Sequence, residues 1–305
     1  MCNIATTVVG LEDFAAEEIK SLGGTVLNIK NGMIKYRANE ENIKKINSKS
    51  RFLELNIKIL GEGPVSKPKD LRSILSTEMT GKKIKIFANK PPYPRKEIET
   101  ELSKLRIDGN GMIYVWIDGD QMIVGKDIAG RKLNDRNYRV FRHPAALNPI
   151  IANAMLSISG WRSAMVDPFC GSGTIPIEAY FSRAYSENRI YCVEIKKRYV
   201  EGAKLNAKMA GANIVIMRGD ALNLHRIAND AKYITTNPPF GLRVGTKKNV
   251  YGLYEKFAEE LEEHFSGSYF TVLSISDKFE NYFDVIECKD IMYGALKSKI
   301  CKMKI

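Results

Sequence analysis

No stretch of the 305 residues is apolar over the roughly 20 positions that a membrane-crossing helix needs, so a spanning helix is excluded. The opening MCNIATTVVGLEDF lacks the basic and then apolar layout of a secretory signal, and the cytoplasmic compartment is the expectation. Cysteine and histidine are scarce. Cys2, Cys170, Cys192, Cys288 and Cys301 form no CxxC pair, and His143, His225 and His264 stand at no metal-finger spacing from them. Reduced thiols and no metal are therefore expected. A single glutamine, Gln121, against twenty-one asparagines gives no clean thermophile signal. There is no internal repeat, which excludes a solenoid, and no full GxGxxG, which weakens a dinucleotide-dependent dehydrogenase.

What is present is a globular composition, 44% hydrophobic and 27% charged, in a chain long enough for two domains. The net charge is +12, which points to a polyanion, a membrane surface or an acidic partner, with a plain solvated basic surface as the alternative. The excess is uneven: residues 1–142 hold 26 basic and 18 acidic side chains, residues 143–305 hold 21 and 17.

Hydrophobic periodicity divides the chain in the same place. Strand, helix, two strands joined through Asn31-Gly32, a polar helix (40–48) and a strand (52–60) make a small α+β unit like a ferredoxin domain. A helix (71–79), a strand (83–88), a second helix (95–105) and two strands (112–117, 121–127) follow. After Pro149, strands at 164–169, 190–195, 214–217, 233–236 and 269–274 alternate with helices, as in a parallel sheet covered on both faces. Runs at 283–288 and 299–303 predict an antiparallel hairpin at its edge.

Chemistry gathers at the ends of those later strands. Val166-Asp167-Pro168-Phe169-Cys170-Gly171-Ser172-Gly173-Thr174 ends a strand in an acid, then turns through two glycines into a helix whose first amides face the turn. Glu194 closes the next strand, where a carboxylate can accept from two ribose hydroxyls, and Asp220 follows the third. Any one of these acids could simply cap a helix. Three in order at successive strand ends are much harder to dismiss as caps. After the fourth strand comes Asn237-Pro238-Pro239-Phe240, in which two prolines remove backbone donors and leave acceptors on Asn237 and Pro238. Such a turn suits an exocyclic amine, with Phe240 as a stacking face for a base.

VDPFCGSGTIPIEA at 166–179, CVEI at 192–195, RGDA at 218–221 and NPPFG at 237–241 resemble motifs I to IV of class I S-adenosylmethionine-dependent methyltransferases acting on an amino group. YRVFRHPAAL at 138–147 resembles the linker and first methyltransferase motif of THUMP-containing tRNA guanine-N2 methyltransferases. The resemblance implies an α/β chain in four parts. Residues 1–60 form a ferredoxin-like domain, 61–130 a THUMP RNA-binding domain, 131–149 a linker, and 150–305 a Rossmann-like catalytic domain with a mostly parallel seven-stranded sheet.

By the same resemblance, Asp167, Phe169, Cys170, Gly171, Ser172 and Gly173 bind the methionine part of the donor, Glu194 its ribose, and Asp220 with Ala221 its adenine, and Asn237 also borders the donor. Asn237, Pro238 and Phe240 are the implied catalytic residues, although the family more often has tyrosine at position 240. Arg243, Lys82, Lys83, Arg95 and Lys96 are implied contacts to tRNA. Asparagine at 237 and the GSGTI turn look more like enzymes acting at guanosine 6 than at guanosine 10. Adenine-N6 methylation of DNA or ribosomal RNA and a catalytically silent RNA-binding protein are the competing readings.

Overall fold

A computed structural model describes residues 1–65, 70, 83–89, 94–103, 112–182, 189–240, 247–275 and 278–305. The expected helix at 71–79, Lys82 and Arg243 lie outside these residues. The chain forms two compact units, Met1–Thr7 with Ala15–Leu133, and Val8–Phe14 with Asn134–Ile305. No helix among the described residues is long and apolar enough to cross a membrane.

The first unit is built on one seven-stranded sheet in the order β2-β3-β1-β4-β7-β6-β5. Its strands are β1 (Cys2–Thr6), β2 (Thr25–Lys30), β3 (Met33–Arg37), β4 (Leu55–Pro64), β5 (Lys83–Asn89), β6 (Met112–Asp118) and β7 (Gln121–Asp127). Helices α1 (Glu12–Ser21), α2 (Glu40–Lys49) and α3 (Arg95–Ser103) interrupt them. The β2-β3 hairpin turns where both Asn31 and Gly32 take positive φ, +41° and +77°, the conformation that makes this dipeptide a hairpin signal. β4 pairs with β1 through residues 55–58 and with β7 through residues 57–64, so a single strand joins the two halves of the sheet. Tyr36 donates its hydroxyl to Asn56 at 2.6 Å in the core, and Asn56 in turn donates to Asn47 at 2.7 Å.

The second unit carries a sheet in the order β10-β9-β8-β11-β12-β14-β13. The strands are β8 (Met165–Asp167), β9 (Ile190–Glu194), β10 (Val215–Arg218), β11 (Tyr233–Thr236), β12 (Tyr269–Ser274), β13 (Asp284–Tyr293) and β14 (Leu296–Lys304). The first five run parallel, and β14 pairs antiparallel with both β12 and β13. This is the expected mostly parallel seven-stranded sheet with its edge hairpin. The strands connect through α4 (Pro149–Ser159), α5 (Thr174–Ser182), α6 (Lys197–Ala210), α7 (His225–Ala228) and α8 (Lys247–His264). α4 starts where the Asn148 side chain accepts from the Ile150 amide, with Pro149 at the first turn, and stops at Gly160 in the left-handed region. Phe257 and Leu261 of α8 pack with Ile234, Phe270 and Val272 of the sheet in the principal core.

The cysteines depart from the expectation of reduced thiols. Cys170 is bonded to Cys192 and Cys288 to Cys301, leaving Cys2 free. Strand register is the reason. Cys288 lies directly opposite Cys301 in the β13-β14 ladder, and pairing of Asp167 with Cys192 places Cys170 over the next strand. The Cα atoms of the bonded pairs are therefore 5.4 and 4.1 Å apart, although 22 and 13 residues separate them in sequence.

Candidate active site

In the second unit the chain order reverses between β8 and β11, which are parallel neighbours with β9 on the far side of β8. A crevice outside the carboxyl ends of strands at such a point is where open α/β sheets bind ligands. Asp167 ends β8, Glu194 ends β9, Asp220 follows β10 and Asn237 follows β11. The sheet thus gathers all four predicted polar residues along one edge.

Asp167 is buried, and its Oδ1 accepts from the Thr236 hydroxyl at 2.6 Å and the Phe169 amide at 3.1 Å. Burial pushes its carboxyl up to about 7; the Thr236 and Phe169 hydrogen bonds pull the other way, and the nearby Glu194 charge adds to the rise. The turn that follows needs its glycines for their backbone: Gly171 and Gly173 sit at φ +52° and +82°. A Cβ on Gly171 would meet nothing nearer than the His143 ring at 4.0 Å, so that side of the turn is open to a ligand. Phe169 packs edge-on against Phe257 at 5.1 Å, while Cys170 and Ser172 are buried behind the turn.

Glu194 braces this turn from the next strand. Its Oε2 accepts from the Gly171 amide at 3.1 Å and its Oε1 from the Lys196 amide at 2.8 Å. Each oxygen keeps a further lone pair for a hydroxyl. From α6, Asn206 donates to the Ser172 carbonyl and the Phe141 carbonyl, both at 3.0 Å, and accepts from the Phe141 amide at 2.8 Å. Asp220 does cap local structure, its Oδ1 accepting from the Leu222 amide at 3.0 Å at the head of the short 3-10 turn Ala221–Asn223. Ala221 is buried beneath it.

The Asn237-Pro238-Pro239-Phe240 turn carries the most telling atom. Asn237 Oδ1 is buried and accepts no hydrogen bond among the described residues. Buried acceptors are seldom left unpaired, and an orphan costs about 1–3 kcal/mol, so a persistent one calls for a functional reason. Pro238 is buried, Pro239 is exposed and Phe240 is half-buried. The Pro239 carbonyl is held by the Tyr254 hydroxyl of α8 at 2.8 Å, and the Tyr254 ring lies 4.7 Å from that of Phe279.

Among the predicted tRNA contacts, Lys83 on β5 and Lys96 on α3 are exposed, and Arg95 opens α3.

The motifs do not announce several supporting residues. Thr236 and Asn206 lie among ordinary strand and helix positions, and Tyr254 acts from 15 residues beyond the carbonyl it holds. His143 stacks edge-on against Tyr199 at 4.0 Å beside the glycine turn; burial holds its imidazole below the usual value, Glu194 opposing and Lys196 assisting. Glu178 is fully buried on α5 and accepts from Arg136 Nε at 3.0 Å, the Tyr138 hydroxyl at 2.8 Å and Asn153 Nδ2 at 2.7 Å. It anchors the segment entering the catalytic unit, and the only signal for it was its place in the 166–179 motif.

The chain is similar to known proteins in sequence and in fold. A tRNA (guanine(6)-N2)-methyltransferase of Methanocaldococcus jannaschii is 29% identical, with 95% of this chain and 96% of that one covered. The solved structure of TrmN from Thermus thermophilus superposes with a TM-score of 0.79 at 20% identity over 99% of both chains. A putative methyltransferase complexed with SAH does so with a TM-score of 0.79 at 20% identity, covering 99% of this chain and 97% of its own. The family model for an RlmL ferredoxin-like domain matches residues 3–54. The model described as an RMKL-like methyltransferase domain matches residues 136–294, and the chain belongs to that methyltransferase family.

Proposed function

We propose that the chain is a tRNA guanine-N2-methyltransferase that uses S-adenosylmethionine to methylate the exocyclic amine of guanosine 6 in the acceptor stem. The observation that carries this reading is the buried, unpartnered Asn237 Oδ1 at the switch point of a methyltransferase sheet. The M. jannaschii relative, similar over nearly its whole length, supports the choice of substrate and position.

The residues present fit the donor. Asp167 and the open glycine turn would hold the methionine part, Glu194 the ribose hydroxyls, and Asp220 with the Ala221 amide the adenine. S-adenosylmethionine supplies an electrophilic methyl group on a sulfonium sulfur. The protein's task is to present a weak nucleophile, because the guanine amine delocalises its lone pair into the ring. Asn237 Oδ1 and the Pro238 carbonyl accept the two amine protons, which turns the lone pair toward the methyl group, and Phe240 stacks on the base. No strong base is needed beforehand, since the nitrogen becomes acidic only once methylated.

The domain plan read from the sequence is retained in this proposal, with residues 1–60 ferredoxin-like, 61–130 THUMP, 131–149 a linker and 150–305 catalytic. The basic front half binds tRNA. On β5, Lys83, Lys85 and Phe87 share one exposed face, and the Phe87 ring lies parallel to that of Trp116 on β6, with centroids 5.7 Å apart. Cations beside an exposed ring suit a phosphate backbone with unpaired bases. Transfer of labelled methyl to an unmodified tRNA transcript, lost in Asn237→Ala, tests the proposal; equal labelling by that variant would reject it.

A further inference from the structure

Away from the sheet edge, three ligand-type side chains converge where α7 meets the end of α8. Glu260 and His264 stand four residues apart on α8, a spacing that places both on one helix face, and His225 opens α7. His225 Nδ1 lies 2.8 and 3.2 Å from the two Glu260 oxygens. His264 Nε2 lies 3.7 Å from Glu260 Oε2, and the imidazole centroids are 3.9 Å apart. Glu260 is buried, whereas the histidine side chains keep 30% and 29% of their surface.

Hydrogen bonding accounts for only part of this arrangement. Glu260 Oε1 accepts from the His225 amide at 2.8 Å and faces His225 Nδ1, which explains one oxygen and one ring. The His264 contact is too long for a hydrogen bond, and the same Nε2 lies 3.8 Å from Oε2 of the exposed Glu263, so the ring nitrogen stands between two carboxylates without bonding either. Nitrogen and oxygen ligands bind Zn²⁺ at about 2.0–2.2 Å, so two ligands of a tetrahedral ion are roughly 3.3 Å apart. The separations of 3.2 and 3.7 Å to Glu260 Oε2 bracket that value, and all three donor atoms lie within 4.8 Å of one another.

We infer that His225, Glu260 and His264 form a binding site for a divalent transition metal of the zinc class, with the solvent-facing side open for water as a fourth ligand. Two neutral imidazoles and a carboxylate favour Zn²⁺ or Co²⁺ over Mg²⁺ or Ca²⁺, which prefer all-oxygen shells. A metal on His225 Nδ1 moves the ring proton to Nε2. The exposed Arg226, whose Nε lies 3.4 Å from that atom, then turns into solvent. The ion ties α7, which follows Asp220, to the helix whose Tyr254 holds the Pro239 carbonyl. Its existence does not depend on the methyl-transfer reading.

Co²⁺ titration of the purified full chain, followed by visible absorption, tests the site. One equivalent should bind with the intense bands of tetrahedral nitrogen and oxygen coordination, and Zn²⁺ should displace it. His264→Gln, at an exposed residue of α8, should weaken binding at least tenfold, and His225→Gln should do the same. His143→Gln and the Cys288→Ser, Cys301→Ser double variant, which removes the separate Glu280, Cys288 and Cys301 group, should bind as the parent does. Absence of saturable binding at one equivalent would overturn the inference, as would binding that survives His264→Gln or disappears with the cysteines.

Discussion

Thr236 Oγ1 donates to Asp167 Oδ1 at 2.6 Å, a bond between the last residues of two neighbouring parallel strands, β11 and β8. One strand delivers the carboxylate assigned to the methyl donor and the other the asparagine assigned to the acceptor amine. On the roles proposed for Asp167 and Asn237, this shared hydrogen bond spaces donor and acceptor.

With its carboxyl raised to about 7 by burial, Asp167 has a protonation state that changes near neutrality. A cationic methionine ammonium favours the carboxylate, so donor affinity should fall about tenfold per pH unit well below about pH 7. Calorimetry across pH 5.5 to 8.5 should show this inflection in the parent and a flat, weaker profile in Asp167→Asn.

The same group predicts a stability trend in the ligand-free protein. An unfolded aspartate titrates near about 3.9, so between about pH 4 and 7 the folded state holds a proton that the unfolded state has lost. The Asp167 contribution is therefore fully present below about pH 4 and declines as pH rises through about 7. Urea unfolding of the parent and Asp167→Asn at several pH values should differ in slope in that direction.

Asn237→Ala removes the orphaned acceptor while leaving the donor turn intact. Turnover should fall by several orders of magnitude with donor affinity near that of the parent. Loss of donor binding would contradict the role assigned to Asn237.

Tyr254→Phe deletes the hydroxyl that holds the Pro239 carbonyl. The expected effect is about 1 kcal/mol of stability, with kcat lowered about tenfold and donor affinity unchanged. A variant indistinguishable from the parent in kcat would show that the turn needs no such support.

Charge reversal at Lys83 and Lys85 should weaken tRNA binding and flatten its dependence on salt, since each lost phosphate contact removes counterion release. Donor affinity should stay the same. Binding that barely changes with salt in the parent would contradict a phosphate-contacting front half.

The polar edge of the second sheet was legible in the sequence because each strand there is closed or followed by a residue whose type is chemically demanding. Asp167, Glu194, Asp220 and Asn237 follow apolar strands in order, and a parallel sheet can only place such ends together. The supports were not legible. Thr236 and Tyr254 act through hydrogen bonds to partners 69 and 15 residues away, and Asn206 through bonds to Ser172 and Phe141, 34 and 65 residues away; no local pattern marks such distances. The cysteines misled for the same reason, because strand register rather than spacing decides which thiols meet. In the front half, the Asn31-Gly32 turn fixed a hairpin at once, but the continuity of β4 from one half of the sheet to the other depends on pairings that periodicity does not reveal.

Mass mapping of an unmodified tRNA transcript incubated with the protein and isotopically labelled S-adenosylmethionine decides the target nucleotide. Labelled N2-methylguanosine is expected at position 6. An unmodified guanosine 6 beside a methylated guanosine 10, or label on an adenine, would contradict it.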